Sequence, residues 1–192
     1  MSIVLLNGRK LPHQDFEGDD YVPGAGGRWV TCTDTSCGRA ICYATNGRVN
    51  LDGRQIRAAV RPPDPNGITL PQAKQAVKTL TGLDLIIPRA WNWSEVLAHL
   101  TAKKGLVVQG YYGAIPRDWR YQAGADFNHA MWISHYSPTA GMRVWDPLDA
   151  NRTHHGQWVP AKYIRAFMEQ LARREGVGTE RLYCGFVPLQ PL

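Results

Sequence analysis

The hydrophobic pattern changes period near Leu106, and that change limits the fold more than any single residue does. Upstream of it, Thr69-x-x-Gln72 and Asn92-x-x-Glu95 have the form of capping boxes, each followed by a helix-spaced apolar set. The first set is Ala73, Ala76, Val77 and Leu80, ending at Gly82; the second is Trp93, Val96, Leu97 and Leu100, ending at Lys103-Lys104-Gly105. An earlier helix is expected from about Cys32 to Ala44, with Thr31 as N-cap and Asn46-Gly47 as its stop. Its apolar stripe is Cys37, Ala40, Ile41 and Ala44. Downstream, Leu106 to Tyr112 reads as a strand, and Phe127 to Tyr136, a Ser137 to Ala140 loop and Gly141 to Trp145 read as a hairpin. A helix through Tyr163, Ile164, Phe167, Met168 and Leu171 and a last strand from Arg181 to Val187 complete the pattern. Helices first and strands after predict an α+β fold, its N-terminal helices packed on a mainly antiparallel sheet.

A chain of 192 residues with 44% hydrophobic content suits one core, here expected over 29–192. Residues 1–28 read as an N-terminal arm, because Pro12, Pro23, four glycines after position 17 and the acids Asp15, Glu17, Asp19 and Asp20 leave no periodicity. The formal charge of +6 is spread along the sequence, so it reads as solubility and no specific nucleic-acid partner is expected. No apolar run approaches a membrane span, and Met1 to Leu6 is broken at once by Asn7-Gly8-Arg9-Lys10. We expect no signal peptide, no membrane partner and a place in the cytoplasm of the producing cell. The four cysteines then read as reduced thiols. Cys32, Cys37 and Cys42 recur every five residues, so on a helix they share no face, and neither C-x-x-C nor a suitably spaced histidine pair is present. No metal and no cofactor are expected.

The remaining chemistry is that of a thiol. A nucleophilic cysteine acts as its thiolate, which a helix N-terminus and a neighbouring imidazolium both favour, and Cys32 stands at a helix start. Cys37, followed by Gly38, competes for the role but lies on the apolar stripe, where a small thiol serves packing. Cys42 and Cys184 read as core or strand filler. Among the histidines, His13 falls in the arm, His99 on a polar helix face and His154-His155 in a loop, whereas His129 opens an apolar strand. The opposite strand ends in Trp145-Asp146-Pro147. If Tyr136 pairs with Gly141, Asp146 stands opposite Met131 and diagonal to His129 on one sheet face, where a carboxylate can orient an imidazole. Taken alone, Asp146-Pro147 is an ordinary strand-ending turn. Taken together, Cys32 as nucleophile, His129 as base then acid, and Asp146 as its orienting carboxylate form a catalytic triad. Of the aromatic residues, Trp91 and Trp93 fit helix entry and Trp132 and Trp145 fit the sheet, which leaves Tyr111, Tyr112 and Trp119 as candidates for a cleft wall.

Several short segments occur in a recognisable order: Thr31-Cys32-Thr33 with Ser36, Thr45-x-Gly47-Arg48, Ile56-Arg57, Gly67-Ile68-Thr69-Leu70, Val107-Val108-Gln109-Gly110, Asn128-His129-Ala130, Asp146-Pro147-Leu148 and Gln157-Trp158. In that order the chain resembles papain-like cysteine peptidases of the bacteriocin-leader-peptidase type, and more closely papain-like proteins of actinobacterial tailed phages. The resemblance implies a papain-like fold and a thiol protease or other hydrolase that cleaves a peptide or isopeptide bond. It also implies a protein or peptide substrate, such as a virion protein or cell-wall peptide, and association with a virion. It selects Cys32, because the helix-ending Gly47 lies fifteen residues later. Such enzymes commonly place a glutamine shortly before the nucleophile to complete an oxyanion hole, yet here the nearest is Gln14, eighteen positions upstream. The hole then draws on Gln14 from a folded-back arm, on another donor, or on the Cys32 backbone N–H alone. The same fold also supports transglutaminase-like acyl transfer, and it occurs in structural or interaction proteins without turnover.

Overall fold

The computed structural model describes residues 31–61, 67–88, 91–102, 104–148 and 156–191. The expected arm, with His13 and Gln14, lies outside the described residues, as do His154 and His155. Helix α1, Cys32–Ala44, has the expected bounds. It stops where the Gly47 N–H closes back on the Cys42 carbonyl at 2.8 Å, with Asn46 and Gly47 both at positive φ. The apolar stripe is buried, but so are Thr33, Asp34, Thr35, Ser36 and Arg39. This makes α1 a central helix, enclosed by neighbouring helices on one side and by strands on the other. Buried polar groups need partners, and several of these tie α1 to its surroundings. Gln109 Nε2 donates to Thr33 Oγ1 at 3.0 Å, Ser36 Oγ donates to the Ala130 carbonyl at 3.4 Å, and Arg57 lies 3.8 Å from Asp34.

A helix the sequence reading missed follows: α2, Gly53–Ala58, opened by a capping box between Asp52 and Gln55. Its six residues are too few to display a period. Helices α3, Leu70–Thr81, and α4, Trp93–Thr101, start where their boxes predict, and both boxes are fully bonded. Gly82 ends α3 in the left-handed conformation. Leu80, expected on the buried stripe of α3, is instead 42% exposed, because the buried set ends at Val77 and the last turn leaves the core. His99, expected on a polar face of α4, is half-buried against Phe186 and Trp91 and donates from Nε2 to the Gly105 carbonyl at 3.1 Å.

The sheet is antiparallel throughout, in the order β4-β3-β2-β1-β5. Its strands are β1 Leu106–Tyr111, β2 Asn128–Ser137, β3 Gly141–Trp145, β4 Gln157–Val159 and β5 Cys184–Gly185. The last strand is much shorter than the expected span from Arg181 to Val187; on either side of it the Gln109 N–H donates to the Tyr183 carbonyl and a Phe186–Ile86 bridge continues the pairing. Strand alternation divides the core into two layers. Val107, Trp132 and Trp145 pack with α1 and α3, while Leu106, Val108, Met131, Ile133, Met142 and Val144 pack with α4 and with α5, Ala161–Arg174. Large side chains such as Trp132 and Phe167 are completely buried, each worth roughly 1.5–3 kcal/mol or more of apolar transfer. Gly110, paired with His129, lets α5 lie directly on β1, since a Cβ there would stand 2.3 Å from the Phe167 ring.

The hairpin that delivers Asp146 differs from expectation at its turn and agrees at its base. Ser137, not Tyr136, pairs with Gly141. The shorter turn is held by the Ala140 N–H donating to Ser137 Oγ at 3.2 Å, with Thr139 Oγ1 3.1 Å from the same oxygen. A bulge between Ile133 and His135 absorbs the one-residue difference, so Trp132 faces Trp145 as expected. Without it the carboxylate would stand opposite Trp132, on the wrong face. Among the described residues, no helix is long and apolar enough to cross a membrane.

Candidate active site

Cys32 is the first residue of α1 and is partly exposed, whereas Cys37, Cys42 and Cys184 are buried. Thr31 occupies the N-cap position, but its side chain makes no capping bond to the first turn. The first N–H groups of a helix have no intrahelical acceptor, so the Cys32 N–H is a donor beside its own thiol. Burial is the largest influence on the other thiols: it pushes Cys42 up to about 11 and Cys37 higher still, where the charges of Asp34 and Cys32 add to the effect. A thiol so held stays protonated and inert. Of the two thiols, Cys32 is the accessible one and Cys37, on the apolar stripe, is the enclosed one.

His129 is the second residue of β2 and is nearly enclosed, at 3% exposure. Its Nε2 lies 2.7 Å from Asp146 Oδ1, and since a carboxylate has no proton to give at neutral pH, Nε2–H is the donor. Cys32 is near enough to the same imidazole to raise its pKa, and with Nε2 taken by Asp146 the ring nitrogen open to the thiol is Nδ1. All three residues singled out from the sequence are thus brought together, Cys32 from the start of α1, His129 from β2 and Asp146 from the residue after β3. Burial by itself would lower the pKa of His129. The Asp146 charge and hydrogen bond, with those of Cys32, overcome it and raise the imidazole to about 10. Asp146 is shifted the other way: burial opposes ionisation, but His129, Tyr112 and the Leu148 N–H hold the carboxyl below its usual range.

The strand-ending turn and the site are one structure. Asp146 Oδ1 accepts the Leu148 N–H at 2.8 Å across Pro147, so the turn that ends β3 also fixes the carboxylate plane. Its other oxygen, Oδ2, accepts the Tyr112 hydroxyl at 2.6 Å. Tyr112 was expected on the cleft wall; it is instead completely buried, its ring edge-on to His129 at 4.8 Å and stacked on Phe127 at 6.0 Å. The reason is local. β1 ends at Tyr111, and a 3₁₀ turn over Tyr112–Ala114 carries the Tyr112 ring inward. Tyr111 and Trp119 remain partly exposed, Tyr111 bonded to Asp126 and covered by Arg174 at 4.0 Å, Trp119 packed on Tyr163. Gln109 is a further amide beside the first turn of α1, bonded to Thr33 next to Cys32.

An imidazole held between a thiol and a carboxylate can draw the thiol proton and keep it, giving a thiolate–imidazolium pair. No family model matches the sequence, and no curated protein matches it either. Among solved structures, a Bacillus anthracis protein described as a C39-like peptidase superposes with a TM-score of 0.56 at 14% sequence identity, over 84% of this chain and 90% of that one. At that identity the likeness concerns the backbone: the chain has the α+β, papain-like fold of a C39-like peptidase, with helices packed on an antiparallel sheet.

Proposed function

We propose that this chain is a papain-like cysteine hydrolase that cleaves a peptide or isopeptide bond through Cys32, His129 and Asp146. The observation that supports it most is the imidazole of His129, bonded to Asp146 at 2.7 Å and raised in pKa by both Asp146 and Cys32. In this reading the Cys32 thiolate attacks the scissile carbonyl, and the His129 imidazolium gives its proton to the leaving amine. Water then enters, His129 takes its proton, and hydrolysis of the thioester restores the thiol. Asp146 keeps the imidazole turned so that Nδ1 faces the sulfur and stabilises its positive charge. The Cys32 N–H supplies one oxyanion donor, and helix α1 adds its positive end. The likeness to a protein described as a C39-like peptidase agrees with this chemistry.

The experiment is digestion of a mixture of unfolded proteins and synthetic peptides, with new amine termini counted by mass spectrometry. The wild-type chain should generate termini within a restricted sequence context, and Cys32→Ala should generate none while melting at a similar temperature. Equal cleavage by both chains, or cleavage by neither, would contradict the proposal.

A further inference from the structure

We propose that Tyr112 is a positioning residue for Asp146: its hydroxyl fixes the carboxylate against His129 and sets the acid limit of the site's working range. The inference rests on the reading of Cys32, His129 and Asp146 as a triad, and extends it to a fourth side chain. Three bonds define the role. The Tyr112 hydroxyl donates to Asp146 Oδ2 at 2.6 Å, its oxygen accepts the Tyr121 N–H at 3.1 Å, and its own backbone N–H donates to the Phe127 carbonyl at 2.9 Å. A phenol has one proton to give. With the oxygen already accepting from Tyr121, that proton is aimed at the carboxylate, and bonds in such a chain strengthen one another.

The carboxylate needs this donor. Oδ1 is occupied by His129 Nε2 and by the Leu148 N–H, so a bare Oδ2 at 4% residue exposure would be a buried, unsatisfied anionic oxygen. With Tyr112 in place both oxygens are filled, and the carboxylate plane cannot rotate away from the imidazole. The titratable groups facing Asp146 are His129 from β2 and Tyr112 from the turn after β1; Cys32 on α1 acts on it through the imidazole. Burial, then the Asp146 charge, pushes the phenol far above its ordinary range, so Tyr112 remains a neutral donor and is not a base. A donor to the charged form favours that form, so Tyr112 should keep Asp146 ionised to lower pH. The order in sequence hides this link, since Tyr112 and Asp146 are separated by 34 positions.

The test is Tyr112→Phe, which keeps the ring and removes the hydroxyl. Two readouts apply: the carboxyl carbon of Asp146 followed by NMR in chain labelled with 13C-aspartate, and the rate at which iodoacetamide modifies Cys32, each as a function of pH. The Asp146 midpoint and the acid limb of Cys32 labelling should both move up by about one pH unit. Site-specific 3,5-difluorotyrosine at position 112, a stronger donor of nearly the same shape, should move both the other way and covers the case in which Tyr112→Phe folds poorly. A lower melting temperature with an unmoved midpoint would make Tyr112 mere packing and overturn the inference. The NMR readout needs no turnover: a shifted Asp146 midpoint in a chain that cleaves nothing would uphold the tyrosine's hold on the carboxylate while sinking the hydrolase reading.

Discussion

Cys32 and Cys37 are five residues apart on one helix and have opposite surroundings. At the first turn of α1 the thiol is partly exposed, at the positive end of the helix and near the His129 imidazole, whose pKa it raises. One and a half turns later the side chain is completely enclosed among Ala40, Ile41 and neighbours from α2 and α3, and its proton is held tightly. The same residue type is therefore a nucleophile candidate in one place and a small apolar filler in the other. What separates them is position relative to the helix end and to the β2–β3 hairpin, not anything in the two letters.

The comparison is broken most severely at the hairpin. Asp146→Asn removes the charge that holds the His129 imidazolium, so turnover should fall by roughly 10²–10⁴-fold, as measured by steady-state cleavage of a peptide identified in the digestion. A drop of less than about threefold would mean that Cys32 does not depend on the pair. Next in size is Cys37→Ser, which puts a hydroxyl where the thiol only packs. It should cost about 1–3 kcal/mol in chemical denaturation if the hydroxyl finds no partner, while turnover per folded molecule stays the same. Full stability with lost turnover would exchange the roles of the two cysteines.

A smaller effect concerns pH and sharpens the electrostatic half of the contrast. The folded pKa of His129 lies above its ordinary 6.5, so the stability it contributes is fully present below that value and is lost as pH rises through about 10. For Asp146 the folded pKa lies below the ordinary 3.8, so its contribution is present above that value and lost as pH falls through the folded one. The gap in melting temperature between wild type and His129→Ala should accordingly be widest between about pH 4 and 6.5 and close toward pH 10. A gap that widens toward pH 10 would mean that His129 is neutral in the folded chain.

How much of this could be read in the sequence depends on range. The α+β class, the bounds of α1 and the starts of α3 and α4 follow from local chemistry: a positive-φ stop at Asn46-Gly47 and two capping boxes whose partners are three residues apart. The pairing of His129 with Asp146 was also legible, because hairpin register links residues 17 apart by simple alternation. That expectation reached the right face through a compensation it did not contain, since the turn is one residue tighter and a bulge beyond Ile133 restores the register. Tyr112 was not legible. Its inward turn follows from a strand ending one residue early, and its partner lies across the sheet, so nothing local distinguished it from Tyr111. The burial of Thr33, Asp34, Thr35 and Ser36 was hidden for a similar reason: a helix enclosed on all sides needs no single apolar stripe, only partners supplied by β1, β2 and α2.

The most direct test of the central claim is the rate at which a small thiol electrophile modifies each cysteine at neutral pH, resolved by peptide mapping, in wild type and in His129→Ala. Cys32 should react at least about 10²-fold faster than Cys37 in the wild type, and most of this advantage should disappear when the imidazole is removed. If Cys37 reacts as fast as Cys32, or if the Cys32 rate does not change in His129→Ala, then the start of α1 holds an ordinary thiol and the catalytic reading of the site is wrong.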